Sequence, residues 1–372
     1  MIQQRPGYPN LSVKLYENYD AWLENRFLEM AGALITLTLR DGLMNGINEG
    51  LLQIMDTKNL QVMLTGDEII QLSVKTANTD YTYNRLYGIK HLSASVNAKG
   101  DNVITFELGS LHAVANLKFS RAFGNNAQDS IAEMINYIYR GREKLIPAFD
   151  SENTRVPATN WVLDICKYFE FVRKYGQSVT LGEVPLFWED MRGMHLSDFG
   201  KLQEQEPIQY IVSEPRLLGE LVTTAPVKTC FDFEWLTKAN GFKRNPMRNM
   251  SFYAHSFIDK QLTRVVTGEG ENAIMIPRSG AYYDQVHRNG LEEYDKTLTF
   301  SEYDAYATAK TYGEFGLTPG IKMAFFDNKN QFRGEYFVDE VIHEISREQS
   351  ITNIYLFNNA LAKTPFEERQ IS

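Results

Sequence analysis

Cysteine is scarce in this chain. Cys166 and Cys230 are the only two among 372 residues, so no disulfide framework holds the fold, and folding in a reducing compartment is expected. Long apolar runs are missing as well. No stretch approaches the roughly 20 apolar residues of a membrane-spanning helix, so no membrane insertion is expected. Met1 to Asn10 contains Arg5, Pro6 and Pro9 but no apolar h-region, so it does not read as a secretory signal. Positive charge is not in excess: 38 Lys and Arg against 47 Asp and Glu give −9, which excludes a global basic footprint for nucleic acid. The six histidines (His91, His112, His195, His255, His287, His343) are scattered, without HExxH or another zinc spacing. No GxSxG elbow occurs, and Cys166 has no local nucleophile motif.

What is present is ordinary soluble composition, with 43% hydrophobic and 23% charged residues. Aromatics are plentiful, 20 Tyr and 22 Phe, which suits strands and large interfaces. The most informative stretch is Thr318 to Phe357. Ile321, Met323 and Phe325 alternate with polar or small neighbours, the period of a half-buried strand. A polar turn, Asp327 to Asn330, follows. Tyr336 and Val338 then share one face, and Val341, His343 and Ile345 resume the alternation one residue out of phase. Such a slip would turn the core face outward unless a β-bulge absorbs the extra residue. A second turn, Ser346 to Ser350, leads to Ile351–Phe357.

The same arrangement occurs from Gly66 to Gly109. Ile70, Leu72 and Val74 form a strand; Tyr87 and Ile89 are followed by Leu92, Ala94 and Val96, with the slip at the same place. After the turn Asn97–Asp101, Phe106 and Leu108 match Ile354 and Leu356. The shared slip marks one antiparallel β module present twice.

Further strands are predicted at Leu11–Leu15, Ala33–Arg40, Gly50–Met55 and Gln61–Leu64, with turns at Asp41-Gly42 and Asn45-Gly46 and a short helix between Tyr16 and Ala33. This first module, residues 1–111, holds enough strands to close a small barrel. Residues 112–206 read as an α+β insertion. Asp129 or Ser130 caps a helix carrying Ile131, Met134, Ile135 and Ile138 and ending at Gly141; Thr159 or Asn160 caps a second, with Trp161, Ile165, Phe169 and Val172 on one stripe and Gly176 at its end. Leu186–Trp188 is a short strand and His195–Leu202 a helical turn. Ile208–Val212 and Cys230–Trp235 begin the second module, residues 207–240 and 307–372. Residues 241–306 are inserted into it, with strands at Met250–Ile258, Thr263–Thr267 and Ala273–Ile276, a hairpin loop at Gly268-Glu269-Gly270, and a helix at Phe300–Tyr312.

Trp188-Glu189-Asp190 offers two adjacent carboxylates beside an aromatic, the raw material of a glycosidase pair. Neighbours on a strand point to opposite faces, so a solvated strand end is the expected role. His91 and His343 lie on strands and read as packed or interfacial. Thr267–Asn272 lacks the Lys-Ser/Thr and helix of a phosphate loop. Lys238, Lys243, Arg244 and Arg248 form a basic turn, suited equally to solvent or to an acidic partner. No residue is assigned a catalytic, cofactor-binding or metal-binding role, and no cofactor is expected.

Several stretches carry a resemblance: Gln4 to Leu15 with Tyr19-Asp20-Ala21-Trp22; Trp235 to Lys238 with Tyr253-Ala254-His255-Ser256-Phe257; Gly268 to Asn272 with Arg278 to Tyr282; and Tyr336 to Ile345. Together they resemble the central baseplate hub proteins of T-even-type contractile-tailed bacteriophages, from the N-terminus to about Ala360. The resemblance implies a structural virion protein, not an enzyme. It implies a mainly β fold of two similar antiparallel β-barrel tube domains with two smaller inserted domains, and a homotrimer closing a hollow ring in the tail baseplate, assembled in the host cytoplasm. That ring grips a trimeric, lysozyme-bearing, cell-puncturing spike beneath the sixfold tail tube and its proximal baseplate proteins. Tape-measure protein and then DNA pass through the lumen without specific binding. Two other readings stand beside it: a tail-associated wall hydrolase using Glu189 or Asp190, and a glycan- or receptor-binding β protein.

Overall fold

The computed structural model describes residues 7–43, 48–76, 79–111, 120–123, 127–143, 145–147, 159–162, 185–213, 228–237, 250–256, 261–266, 272–275, 305–329 and 331–358. The first module contains β1 (Pro9–Tyr16), β2 (Leu28–Glu29), β3 (Leu34–Gly42), β4 (Glu49–Met55), β5 (Ile69–Thr76), β6 (Thr82–Val96) and β7 (Asn102–Ser110). A five-residue helix, Tyr19–Leu23, follows β1, its Asn18 cap accepting from the Ala21 amide. The insertion holds β8 (Ser120–Phe123), a helix Ala127–Tyr139, β9 (Leu145–Pro147), β10 (Thr159–Val162), β11 (Pro185–Asp190), β12 (Gly193–Asp198) and a short helix Phe199–Gln203. β13 (Ile208–Val212) and β14 (Lys228–Thr237) open the second module. β15 (Met250–Ser256), β16 (Gln261–Val266) and β17 (Asn272–Met275) form a separate three-stranded sheet. β18 (Ala305–Tyr312), β19 (Lys322–Phe326), β20 (Phe332–Ser346) and β21 (Ser350–Asn358) complete the chain.

The duplication is visible as topology. In the first module the strands lie in the order β3-β4-β7-β6-β5, all antiparallel; in the second, β14-β18-β21-β20-β19 lie in the same order, also all antiparallel. Each phase slip is a bulge. The β6–β7 register shifts between Ile89 and His91, the β20–β21 register between Val338 and Glu340, and the bulges sit opposite Leu108 and Leu356, the residues matched in sequence. The sixth strand breaks the likeness: β1 runs antiparallel to β5, whereas β13 runs parallel to β19 and to β14, closing the second module into a six-stranded barrel.

Alternation puts one residue in two inside. Val13, Leu37, Leu39, Leu52, Leu72, Val74, Phe106 and Leu108 fill the first core; Ala309, Met323, Phe325, Val338, Val341 and Ile354 fill the second. The two modules are one sheet, because the late half of β20 pairs with β3, from Glu340↔Gly42 to Ser346↔Thr36. The cores also interpenetrate: Phe315 and Ile345, from the second module's part of the chain, belong to the first module's cluster.

Several expectations are corrected. Phe300–Tyr312 is not a helix where it is described; β18 occupies Ala305–Tyr312, with Ala307 and Ala309 buried at period two between β14 and β21, and pairing overrides the propensity of alanine. Gln61–Leu64 is not a strand: Leu60–Val62 is a 3₁₀ turn whose Leu60 and Gln61 amides donate to the Asp56 carboxylate. Asp41-Gly42 continues β3 instead of turning; Asn45-Gly46 lies outside the described residues. Asp129 and Ser130 sit inside the first turn of their helix, which begins at Ala127. Thr159–Val162 pairs with β8 instead of capping a helix, and the rest of that predicted helix is not among the described residues. His195 lies on β12, ahead of the helical turn. Gly268–Gly270 is undescribed, but β16 and β17 do not pair with each other; both flank β15, so no β16–β17 hairpin forms.

Candidate functional site: the exposed sheet face and the buried lock beneath it

The joined sheet has one face packed on the two cores and one face turned away. The registers align rows of side chains along the latter. One row runs His91, Glu107, Leu51, Thr38, Glu344 across β6, β7, β4, β3 and β20. Beside it, Thr36 donates to Gln53 at 3.0 Å, and Gln53 donates to Thr105 at 3.3 Å. Three basic groups on this face are paired: Arg40 with Glu340 at 2.6 Å, Lys90 with Glu49 at 2.6 Å and Lys310 with Asp232 at 3.2 Å. Glu107, Glu234 and Glu344 add exposed negative charge. The result is a wide, polar surface carrying paired charges and additional exposed carboxylates.

Under the seam lies a chain of buried polar groups. The Tyr83 hydroxyl donates to Asp41 Oδ1 at 3.1 Å, and the Tyr83 and Tyr87 hydroxyls are 2.6 Å apart. Burial pushes the Asp41 carboxyl up to about 7; the charge of Asp190 adds to the rise, and the Tyr83 hydrogen bond and Arg85 oppose it. Burial likewise raises the Tyr83 and Tyr87 phenols. His343, fully buried, meets Tyr83 edge-on and lies 4.8 Å from the Phe315 ring, with Nδ1 3.0 Å from Thr352 Oγ1. Burial holds its imidazole down at about 3.

The unfolded chain protonates His343 near the ordinary imidazole value, whereas the fold resists until about 3. Its contribution to stability is therefore whole above the ordinary value and drains as pH falls toward 3. Asp41 has the opposite sign, contributing at low pH and losing that contribution as pH rises through about 7. His343→Phe is expected to shift the acid-unfolding midpoint, followed by circular dichroism, to lower pH. An unchanged midpoint would dismiss His343 as an acid-labile group.

The insertion drives a wedge against this region. The β11–β12 hairpin stacks Trp188 on His195, centroids 4.7 Å apart. Leu186, Trp188 and Leu202 pack with Leu43, Phe337 and Phe357. Glu189 and Asp190, expected at a solvated strand end, are instead buried, 1% and 0% exposed. Glu189 contacts the guanidinium of Arg85, which also reaches Glu143 at 3.2 Å. Asp190 accepts from Arg192 and lies 2.9 Å from His195 Nε2. Burial alone would raise the Asp190 carboxyl, but His195 and Arg192 overcome it and hold it well below the usual range. Arg192 also donates to Thr318 at 3.0 Å, and Gln205 to the Gly320 carbonyl at 3.0 Å, tying the hairpin to the second module. Both carboxylates are thus engaged in ion pairs inside the protein. Asp190 finds its partners two and five residues away, but Glu189 finds Arg85 more than a hundred residues earlier, so no local motif announced that half of the lock.

His343 is packed, as expected, whereas His91 is exposed. Cys230 is buried, its thiol pushed up to about 12 by burial, which suits an inert side chain. Cys166, His112, His287 and the basic cluster Lys238, Lys243, Arg244 and Arg248 lie outside the described residues. Among the described residues, no group of three or more His, Cys, Asp or Glu could hold a metal, and no helix is long and apolar enough to cross a membrane.

Residues 4–199 match the family model described as baseplate structural protein, domain 1, and residues 202–372 match domain 2. No curated protein matches the chain. Among solved structures, a tail protein from Neisseria meningitidis superposes with a TM-score of 0.58 at 10% identity, covering 94% of this chain and 97% of that one. The 43 kDa tail protein of a Shewanella oneidensis prophage gives 0.54 at 8% identity, over 93% and 97%. A Francisella PdpA–VgrG complex gives 0.52 at 9% identity, over 98% of this chain and 60% of its counterpart. At such identities the likeness is one of fold.

Proposed function

The chain belongs to the family of baseplate structural proteins, whose two domain models match its residues 4–199 and 202–372, and on that premise we propose that it is the hub of a contractile tail baseplate. In this reading three copies close a hollow ring that adapts the sixfold tail tube to a threefold, cell-puncturing spike. Residues 1–111 form one tube domain, with the insertion 112–206 after it. Residues 207–240 and 307–372 form the other, interrupted by 241–306.

The observation that carries the reading is the pairing of β3 with β20. It sets two near-identical five-stranded units side by side in one sheet. Three such chains present six similar units to a sixfold partner and keep true threefold symmetry for a trimeric one. The polar face then suits a lumen. Arg40, Lys90 and Lys310 on it already have carboxylate partners, and tight binding of nucleic acid needs free cations to neutralise phosphates. Tape-measure protein and DNA would slide past it. The buried, ion-paired state of Glu189 and Asp190 supports a structural role for them over the hydrolase alternative.

Light scattering on the purified chain mixed with the spike subunit of the same phage tests this. Three hub chains per spike trimer are expected, and any other count overturns the reading.

A further inference from the structure

The internal repeat also says which edges ought to be covered and, among the described residues, are not. Within the chain, the half of β20 beyond its bulge pairs with β21 on one side and with β3 on the other. The matching half of β6, His91 to Val96, pairs with β7 on one side; among the described residues no strand lies on its other side. β14 is the counterpart of β3. From Phe231 to Thr237 it pairs with β18 alone among the described residues. Each module therefore has one equivalent of the seam, and among the described residues only one of the two is made.

We propose that the late half of β6 and the free edge of β14 in a second copy form an antiparallel seam between chains, with Ala94 opposite Trp235. The proposal rests on the ring reading above, and it specifies how the ring is sealed. The register follows from the pairings. Leu39 faces Gly50, which faces Leu108; Trp235 faces Ala307, which faces Leu356. Leu108 and Leu356 are the matched pair beside the two bulges, so Trp235 takes the place of Leu39. Counting from the same bulges, Ala94 takes the place of His343 and Val96 that of Ile345. In the existing seam His343 faces Leu39 and Ile345 faces Leu37, all 0–2% exposed. Their counterparts Val96 and Trp235 are 66% and 59% exposed. Large apolar groups on bare strand edges invite pairing, and an indole opposite an alanine fills one site with one large and one small residue. The occupant is another copy of this chain because the repeat itself supplies both complementary edges in a head-to-tail sense that closes a ring.

The test places cysteines at Ser95 and Glu234, the outward-facing pair one step from Ala94 and Trp235, where directly opposed Cβ atoms come within disulfide reach. The hub–spike complex carrying Ser95→Cys with Glu234→Cys is expected to give linked dimers and trimers on a non-reducing gel. Each single variant, and the shifted pair Ser93→Cys with Glu234→Cys, is expected to give none. Trp235→Glu, at an exposed position, is expected to leave a folded monomer that no longer closes the ring. A particle with three copies but no crosslink, or a ring that survives Trp235→Glu, overturns the strand pairing and leaves the ring intact. A particle with another copy number overturns the ring itself.

Discussion

Phe315→Ala is expected to cost about 3–5 kcal/mol, the usual range for emptying a phenylalanine site in a core, and to weaken both modules together. Phe315 lies between β18 and β19, in the second module's part of the chain, yet it is 0% exposed within the first module's core. It meets Tyr83 edge-on with centroids 6.2 Å apart and lies 4.8 Å from the His343 ring. Ile345 enters the same cluster from β20. A side chain that one module lends to the other makes folding of the two interdependent. Urea unfolding followed by circular dichroism and by fluorescence should remain a single coincident transition, moved to lower denaturant. Hydrogen exchange should lose protection in β5 and β6 as well as in β19 to β21. Loss confined to the second module, or a transition split in two, would show that the cores are separate. For the proposed ring this coupling matters, because a hub whose halves opened independently could not hold six units in register.

How much of this was legible in the sequence depended on the range of the interaction. The bulges were legible because a phase slip is written in the order of a few neighbouring residues: Tyr87, Ile89 and Leu92 in one copy, Tyr336, Val338 and Val341 in the other. Inward residues at period two were legible for the same reason. Strand direction was not, since alternation reads identically both ways along a strand; hence the reversal of β13 relative to β1 left no trace. β18 failed because alanines at alternate positions satisfy a helix as well as a narrow barrel wall, and only β14 and β21 decide between them. At Gln61–Leu64 the apolar pattern was real, but Asp56 draws the Leu60 and Gln61 amides into a turn and leaves Val62 and Met63 72% and 69% exposed. Glu189 and Asp190 were expected in solvent because nothing near them in sequence reveals Arg85.

Arg85→Ala should be among the most damaging single changes. The Arg85 side chain is 1% exposed, on β6; it contacts Glu189, whose side chain is 0% exposed, and reaches Glu143 at 3.2 Å. Removing one partner of a buried pair strands the other charge, at a cost of about 3–5 kcal/mol, whereas replacing both partners by apolar groups of similar size is often close to neutral. Arg85→Ala should therefore lower the urea midpoint sharply, and Arg85→Met with Glu189→Leu should recover most of the loss, falling short because Glu143 still loses its cation. This double-variant recovery separates a structural lock from an active site. If Glu189 were a catalytic acid, Glu189→Gln would abolish peptidoglycan clearing with stability little changed. As the partner of Arg85, Glu189→Gln should instead leave a buried guanidinium short of its counter-charge and lower stability. Unaltered midpoints in both Arg85→Ala and Glu189→Gln would remove the lock from the account of how the insertion is held to the barrel.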